Sequence, residues 1–523
     1  MGRRRPHPPR GAVGAVVEGK PELTPLDGSG GERASRLADV LAWSLLALNL
    51  VGCLVFLTDR SWRPEWDGAT YLLAAQSLAR GEGYLYQGEP FYLRPPGLPW
   101  LLSFVVGPDG FDAQRVNLVV MAFAGLVPIA LFLLARLLHG AWIALVAVLL
   151  AASSAAFVQL FDWVFAEYPY LVLAFLGMYL CERAWRAEGR WWIAALGGAA
   201  CLAAATYMRT VAVLLLPGAL LLGAWRGRGL RRLQGALVCL IACALVWPWQ
   251  SVASARAAAA EAPVEQDLLH DYATAMFHVD PGDPSSPRVD LAGWQGRVRE
   301  NGSAMLRDLA TTILHSGSPL ARGLLVLLLF SGLAVTLRRR GPSLLEWFFA
   351  TYAVLVATYF SYDGRLLMPV ALAACVYLVV AVWSLGGWLA HLTRRPVVLP
   401  LVAGASCAGL FALNLRQAHA NVVVQSDLSR PAEAMARWLR ANTPPDARVM
   451  CNQAPIVALL SGRRTFTFRF LRAPDPLTRY AIDYVLLDAP APEPFMRLVQ
   501  ARHLEHWTVE LGAAGRATVV RVR

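Results

Sequence analysis

Lysine and closely spaced cysteines are almost absent from this chain. Lys20 is the only lysine among the 523 residues, so a cation at a functional site must be an arginine. The eight cysteines are scattered, most of them in apolar segments, and no two have the spacing Cys-x-x-Cys. This distribution predicts neither a disulfide framework nor a cysteine metal site.

Charged residues are also scarce, at 16% of the chain, whereas apolar residues make up 56% and the mean hydropathy is +0.45. A water-soluble protein of this size would not be able to bury so much apolar surface, which excludes that class. The formal net charge is +12. The basic residues lie in short gaps between apolar segments, which is typical of membrane topology signals rather than of nucleic-acid contacts.

The N-terminal segment, residues 1–38, lacks a hydrophobic stretch of the kind that an export signal needs. It is polar, basic and rich in proline and glycine. These properties predict a disordered cytoplasmic tail.

Long apolar segments follow this tail. A membrane-spanning helix needs about 20 largely apolar residues. About eleven segments qualify, and they predict an all-α polytopic membrane protein. The predicted spans are 39–57, 114–137, 141–159, 168–186, 191–207, 210–225, 233–250, 321–337, 344–361, 366–388 and 397–416.

Arginines are distributed asymmetrically among the gaps between these spans. If the N-terminus is cytoplasmic, every second gap is short and basic, as at 338–340, in agreement with the positive-inside bias. The alternate gaps are mostly long or acidic and include the outer loops 58–113 and 251–320. The functional groups are therefore predicted to face outward. A transporter would be expected to place polar residues at mid-membrane, between paired halves that this sequence does not show.

The first outer loop contains the stretch DGATYLLAAQSLARG, in which the apolar residues have helical spacing. Asp67 is predicted to cap this helix, Gly81 to end it, and the helix to lie amphipathically on the membrane surface. A second helix is predicted to begin at Pro95 and Pro96. Asp67 is either a cap alone or a functional acid, whereas Arg94 either snorkels to the headgroups or binds a ligand.

Further polar residues stand at the outer ends of later spans. Asp162 and Glu167 lie between two spans, where an unpartnered carboxylate is costly; Glu167 either belongs to a functional site or only starts a helix. Arg209 lies on the side where arginines are disfavoured, and it either binds an anion or pairs with Glu167. Asp363 and Arg365 either pair with each other or belong to the same site.

In this order, these motifs resemble those of the membrane glycosyltransferases with the GT-C fold, and more narrowly the bacterial branch of glycosyltransferase family 39. That branch is related to the protein O-mannosyltransferases and to the enzyme that adds aminoarabinose to lipid A. The resemblance covers about residues 39–416, and its motifs are DGATYLLAAQSLARGEGY, EPFYLRPPGLPWLL, AEYPYLVLAFLGMYL, RTVAVLLLPGALLL and GRLLMPVALA.

The resemblance implies an inverting hexosyl- or pentosyltransferase that uses a sugar on a polyprenyl phosphate. It implies a lipid, glycan or protein acceptor at the outer face of the bacterial cytoplasmic membrane. Asp67 matches the proposed catalytic base of the family and Glu167 its second acidic residue. Arg94, Arg209 and Arg365 match its basic positions and would bind the donor phosphate. The secondary candidates are Glu65, Tyr71, Tyr92, Asp162, Tyr362 and Asp363.

Two positions depart from the family pattern. Gly68 follows Asp67 where a second acid is common, and Leu366 follows Arg365 where a tyrosine is common. No metal ligand is therefore assigned, and the cofactor expectation stays open between none and a divalent metal.

The composition changes at about residue 425 to that of a small soluble domain. The predicted helices PAEAMARWLRAN, PIVALLSG and EPFMRLVQARH alternate with the predicted strands ARVMC, TFTFRF and IDYVLLD, and a hairpin closes the chain. Residues 425–523 are predicted to form an extracytoplasmic α/β domain over the outer face, without catalytic groups of its own.

Two other functions are compatible with these residues. A transporter or flippase of a lipid-linked anion would use the same arginines without needing Asp67 as a base, and a noncatalytic scaffold would need neither. A transferase accounts for both residue types. Its acceptor hydroxyl must lose a proton to a carboxylate, and its departing phosphate is matched by the planar donors of arginine.

Overall fold

In the computed structural model, most of the chain is helical, and a small sheet lies near the C-terminus. The structure describes residues 29–55, 65–108, 110–161, 163–186, 190–226, 232–259, 272–281, 285–314, 316–393, 429–468, 476–488, 491–511 and 516–523.

Fifteen helices are described before residue 394. They are α1 (Ser29–Val55), α2 (Trp66–Ala79), α3 (Gly97–Leu102), α4 (Ala113–His139), α5 (Ala141–Ala152), α6 (Ala155–Val158), α7 (Glu167–Arg186), α8 (Trp191–Met208), α9 (Leu215–Arg226), α10 (Leu233–Ala259), α11 (Tyr272–Phe277), α12 (Leu291–Leu314), α13 (Pro319–Arg340), α14 (Leu344–Thr358) and α15 (Leu367–Thr393). Short 3-10 turns precede α9 (Thr210–Leu214) and α15 (Gly364–Leu366).

Six helices in the described part of the chain are long and apolar enough to cross a membrane. These segments are Ser35–Val55, Ala113–His139, Trp191–Met208, Leu233–Ala255, Pro319–Arg340 and Gly364–Trp388. Each span predicted before residue 389 overlaps a helix, but several of these helices are short or carry charges, and a count of eleven is not established. The predicted span 397–416 lies outside the described residues.

Close helix contacts hold the bundle together. Gly332 in α13 faces α15 so closely that an added Cβ atom would lie 1.9 Å from the carbonyl oxygen of Tyr377. Glu182, at the end of α7 far from Glu167, is fully buried and pairs with Arg226 of α9 at 2.7 Å. It also accepts the Leu344 N–H of α14 at 3.0 Å. These contacts fix the positions of α7, α9 and α14 relative to one another. They therefore also fix the relative positions of the residues at the opposite ends of these helices.

The structure corrects the predictions for α2. Glu65, not Asp67, is the N-cap residue, and its Oε2 accepts the Asp67 N–H at 2.7 Å. Ten of the 14 residues of α2 are buried, so the helix is not amphipathic and does not lie with one face on a membrane surface. The physical reason is that α2 is packed on several sides: Leu72 belongs to the core of the helical bundle, Ala69 to the core of the C-terminal region and Ala74 to a third buried cluster.

The C-terminal part contains a five-stranded sheet in the order β4-β3-β5-β7-β6. Its strands are β3 (Arg448–Cys451), β4 (Arg464–Thr467), β5 (Tyr484–Leu487), β6 (Glu505–Glu510) and β7 (Arg516–Arg521). Strand β3 is parallel to both of its neighbours, β4 and β5. Strand β7 is antiparallel to β5 and to β6, and β6 and β7 form the predicted closing hairpin. Its helices are Ser429–Asn442, Ala454–Ser461, Pro476–Arg479 and Glu493–Ala501.

This sheet region packs directly on the first outer loop. Ala69 of α2 belongs to the same buried cluster as Met435 and Val457. A small hairpin of β1 (Leu85–Tyr86) and β2 (Glu89–Pro90) follows α2. Its Glu89 pairs with Arg464 at 2.7 Å, and the Oε1 atom of Gln87 at its tip accepts the Thr465 N–H at 2.7 Å. The start of α2 is thereby held between the helical bundle and the sheet.

Candidate functional site

A cavity of about 1100 Å³ lies beside the start of α2, the segment before α3, the α8–α9 junction and the turn between α14 and α15. The charged residues that line it are three arginines and four acids: Arg94, Arg209, Arg365, Glu65, Asp67, Glu167 and Asp363. Every main site residue predicted from the sequence therefore reaches one cavity. Apolar residues, among them Val213, Leu214 and Leu355, line the remainder.

Asp67 is held by two guanidinium groups. Arg94 Nη1 lies 2.7 Å from Asp67 Oδ1, and Arg365 Nη1 donates to Asp67 Oδ2. Burial alone would raise the pKa of Asp67, but the charges of Arg94 and Arg365 outweigh burial and hold that pKa well below its ordinary value. Asp67 is therefore a firmly ionised anchor for both arginines.

Arg94 and Arg365 are each positioned by further contacts. The Arg94 guanidinium lies 5.7 Å from the centre of the Tyr71 ring, and its side chain is only 11% exposed, so it does not snorkel into solvent. The Arg365 guanidinium lies 5.2 Å from the centre of the Phe165 ring. Its Nε is 2.6 Å from Asp363 Oδ2, so the predicted loop pair exists alongside the pair with Asp67. Aromatic faces favour such cations and restrict their rotamers.

Glu167 and Arg209 form a second pair. Glu167 is the first residue of α7 and is almost fully buried, and its Oε1 accepts a hydrogen bond from Arg209 Nη1. Glu167 therefore starts a helix at its positive end, and Arg209 pairs with it, which is one of the two predicted alternatives for each residue. Thr210, directly after Arg209, begins the 3-10 turn that leads into α9. The pair therefore links the N-terminus of α7 to the junction between α8 and α9.

Glu65 has a different environment from the other acids. Its Oε2 caps α2 through the Asp67 N–H, and none of the described residues donates to its Oε1. Burial and the nearby negative charge of Asp67 raise the pKa of Glu65 to about 7, although Arg365 and Arg94 act in the opposite direction. Glu65 is thus poised to exchange a proton near neutral pH.

The secondary candidates divide into two groups. Tyr71 and Asp363 line the cavity, as does Glu65. Tyr92 and Tyr362 are not among the described residues that line it, and Tyr92 is buried. Asp162 lies outside the described residues.

Several lining residues were not predicted. Tyr272 and Met276 come from the second outer loop, and Phe468 and Pro492 come from the C-terminal sheet region. Phe468 directly follows β4, and Pro492 precedes the helix Glu493–Ala501. No local motif marks these residues, because only the packing of distant segments brings them to the cavity.

The described side chains that line the cavity are not grouped in the way that metal ligands are. In the part of the chain that the structure describes, no three His, Cys, Asp or Glu side chains are grouped as metal ligands would be. Guanidinium groups already neutralise Asp67 and Glu167. We therefore derive no step through a metal ion.

Comparisons with known proteins identify the fold. A profile of the family described as dolichyl-phosphate-mannose-protein mannosyltransferase matches residues 93–251. No curated protein sequence matches the chain. Among solved structures, apo ArnT from Cupriavidus metallidurans superposes with a TM-score of 0.61 at 14% identity, covering 94% of this chain and 98% of that one.

Two further structures are similar. ArnT from Cupriavidus metallidurans bound to undecaprenyl phosphate has a TM-score of 0.56 at 14% identity, covering 92% of this chain and 98% of ArnT. The oligosaccharyltransferase AglB from Archaeoglobus fulgidus, in complex with an inhibitory peptide and a dolichol-phosphate, has a TM-score of 0.52 at 11% identity. That match covers 86% of this chain and 69% of AglB. The chain therefore has the GT-C fold that its motifs predict.

Proposed function

We propose that the chain is an inverting glycosyltransferase that moves a sugar from a polyprenyl-phosphate donor to an acceptor at the outer face of the cytoplasmic membrane. The observation that carries this proposal is the convergence of three arginines and four acids, from distant parts of the chain, on one cavity with apolar walls. The similarity to ArnT, one structure of which holds undecaprenyl phosphate, supports the same class of donor.

In this proposal, Arg94, Arg209 and Arg365 bind the donor phosphate. Each guanidinium carries five N–H donors, so an arginine that pairs with an acid still has donors for phosphate oxygens. The charge that develops on the departing phosphate is stabilised by donors that are already in place before the reaction. The acids hold those donors in position while no phosphate is bound.

The apolar part of the cavity suits the beginning of a polyprenyl chain. Val213, Leu214 and Leu355 line the same space as the arginines. A donor is therefore able to place its phosphate among the guanidinium groups while its isoprenoid tail remains in an apolar environment. This arrangement matches a lipid phosphate better than a soluble nucleotide sugar.

A carboxylate at the start of α2 completes the reaction. The acceptor hydroxyl attacks the anomeric carbon on the face opposite the phosphate, and one base on that side accounts for inversion. The sequence motifs attribute this role to Asp67, with Glu167 as the second acidic residue of the site. The acceptor would enter beside the sheet region, which contributes Phe468 and Pro492 to the cavity wall.

The proposed topology follows the arginine distribution. The N-terminus lies in the cytoplasm, about eleven helices cross the membrane, and residues 425–523 lie outside as a separate α/β domain. This arrangement puts the cavity at the outer end of the bundle, where a flipped lipid-linked sugar is available.

Mass spectrometry of envelope glycans and glycoproteins, in cells with and without this chain, tests the proposal. We expect the loss of one defined sugar, whose identity names the donor, the acceptor and the choice between hexose and pentose. Expression of the Asp67→Asn variant in the deletion strain should restore much less of that sugar than wild type does, although purified D67N should still bind undecaprenyl phosphate. A flippase would tolerate D67N, and a scaffold would show no sugar loss that depends on this substitution.

A further inference from the structure

We propose that Glu65, rather than Asp67, is the general base that accepts the proton of the acceptor hydroxyl. This inference rests on the proposed function and specifies the chemistry of its site. Asp67 becomes a positioning residue that holds Arg94 and Arg365 for the phosphate.

Both carboxylate oxygens of Asp67 are already paired with cations. Oδ1 lies 2.7 Å from Arg94 Nη1, and Oδ2 accepts from Arg365 Nη1. To take a proton, Asp67 would have to give up an ion pair on one of these oxygens, in a site where its side chain is only 10% exposed. A carboxylate between two guanidinium groups is a weak base, because protonation removes the charge that both cations require.

Among its described lining residues, the cavity has one more acid than it has arginines. Asp67, Glu167 and Asp363 pair with the three lining arginines, so three negative charges face three positive ones. Glu65 is the remaining acid. It forms no ion pair with a described residue at salt-bridge distance, although Arg365 and Arg94 act on it from farther away. A proton can therefore reach and leave Glu65 without breaking a pair that positions the arginines.

The helix cap uses only one of the two carboxylate oxygens of Glu65. Oε2 of Glu65 accepts the Asp67 N–H at 2.7 Å, and Oε1 has no donor among the described residues. A proton that arrives on Oε1 leaves the cap intact, so α2 keeps its position in both protonation states. The cap bond also places Glu65 beside the acid that organises the phosphate site.

The resulting step is balanced. As the acceptor oxygen bonds to the anomeric carbon, its proton passes to Oε1 of Glu65. The bond between that carbon and the phosphate oxygen breaks, and the polyprenyl phosphate leaves with the electron pair. Burial and the charge of Asp67 raise the pKa of Glu65 to about 7, which is close to the ideal value for a base at neutral pH.

The test compares Glu65→Gln, Asp67→Asn and Glu82→Gln in the full-length protein. The side-chain oxygen of the glutamine in E65Q can still cap α2. Glu82 is an exposed acid of the same loop that does not line the cavity, so E82Q is the matched control. Transfer is measured from pH 5 to 9 with undecaprenyl phosphate carrying the sugar that is lost on deletion. Binding of undecaprenyl phosphate is measured in parallel.

We expect E65Q to lose kcat by about 10²- to 10⁴-fold while it still binds undecaprenyl phosphate. Wild type and E82Q should lose rate as the pH falls below about 7. D67N should have a lower plateau and a midpoint at lower pH, because the negative charge of Asp67 that helps to raise the pKa of Glu65 is gone. The inference is overturned if E65Q keeps the rate and the pH profile of wild type. If wild type neither binds undecaprenyl phosphate nor transfers a sugar, the proposed function itself fails, and the Glu65 assignment fails with it.

Discussion

Arg365 and Asp67 are 298 residues apart in the chain, and Arg365 donates a hydrogen bond to the Asp67 carboxylate. The contact joins the turn before α15 to the first turn of α2. Arg94 holds the other oxygen of the same carboxylate. One acid thereby sets the position of two cations that the sequence places far apart.

This relationship predicts that Arg365 cannot be replaced without weakening phosphate binding. Arg365→Gln should weaken undecaprenyl phosphate binding by about 10- to 100-fold, because it removes a charged donor and leaves Asp67 paired with Arg94 alone. Arg365→Lys should recover only part of the affinity, since lysine lacks the planar fork. Arg338→Gln, at an exposed position at the end of α13, is the control and should bind as wild type does. Equal affinities for R365Q and R338Q would remove Arg365 from the donor site.

The buried pair of Glu167 and Arg209 predicts a strong energetic interaction. Glu167→Gln or Arg209→Gln alone should lower the free energy of unfolding by about 3–5 kcal/mol, because each leaves a buried charge without its partner. The double variant should lose clearly less than the sum of the two. Equilibrium unfolding in mixed micelles measures this cycle. Additive losses would mean that the two side chains do not interact.

The contact between α13 and α15 predicts a position-specific effect of one methyl group. Gly332→Ala should lower stability by about 1–3 kcal/mol or more, because its Cβ would meet the Tyr377 carbonyl oxygen. Gly323→Ala, in the same helix with no atom within 4 Å of an added Cβ, should be neutral or slightly stabilising. Thermal unfolding of the two variants in detergent provides the comparison. Equal melting temperatures would contradict the close approach.

Glu65 predicts a pH dependence of stability that needs no activity assay. Its pKa is about 7 in the folded chain and 4.5 ordinarily, so the folded state binds more protons between these values. The contribution of Glu65 to stability is therefore fully present below about pH 4.5 and is lost as the pH rises through about 7. The difference in unfolding free energy between wild type and E65Q should fall by up to about 3 kcal/mol across this window. A constant difference would show that the pKa of Glu65 is not raised.

Sequence motifs identified the acids and arginines because each stands at a helix end on the predicted outer side. Asp67, Arg94, Glu167, Arg209 and Arg365 all reach the cavity as predicted. Their pairing was not predictable, because no spacing rule relates residues that only tertiary packing brings together.

The same limit explains the errors in the first outer loop. Glu65 was only a secondary candidate, since the local pattern around Asp67 favoured that residue as the cap. Helix α2 is predicted to be amphipathic because the sequence does not show that the sheet region packs on Ala69 and the β1–β2 hairpin on Ala74. Phe468 and Pro492 belong to the cavity for the same reason, through docking of a distant segment.

The most direct test of the central claim is a cryo-EM structure of the full-length protein with undecaprenyl phosphate. The account predicts density for the phosphate within hydrogen-bond distance of Arg94, Arg209 and Arg365, with the first isoprene units against Val213, Leu214 and Leu355. A phosphate bound elsewhere, with the three arginines still facing only their acids, would contradict it.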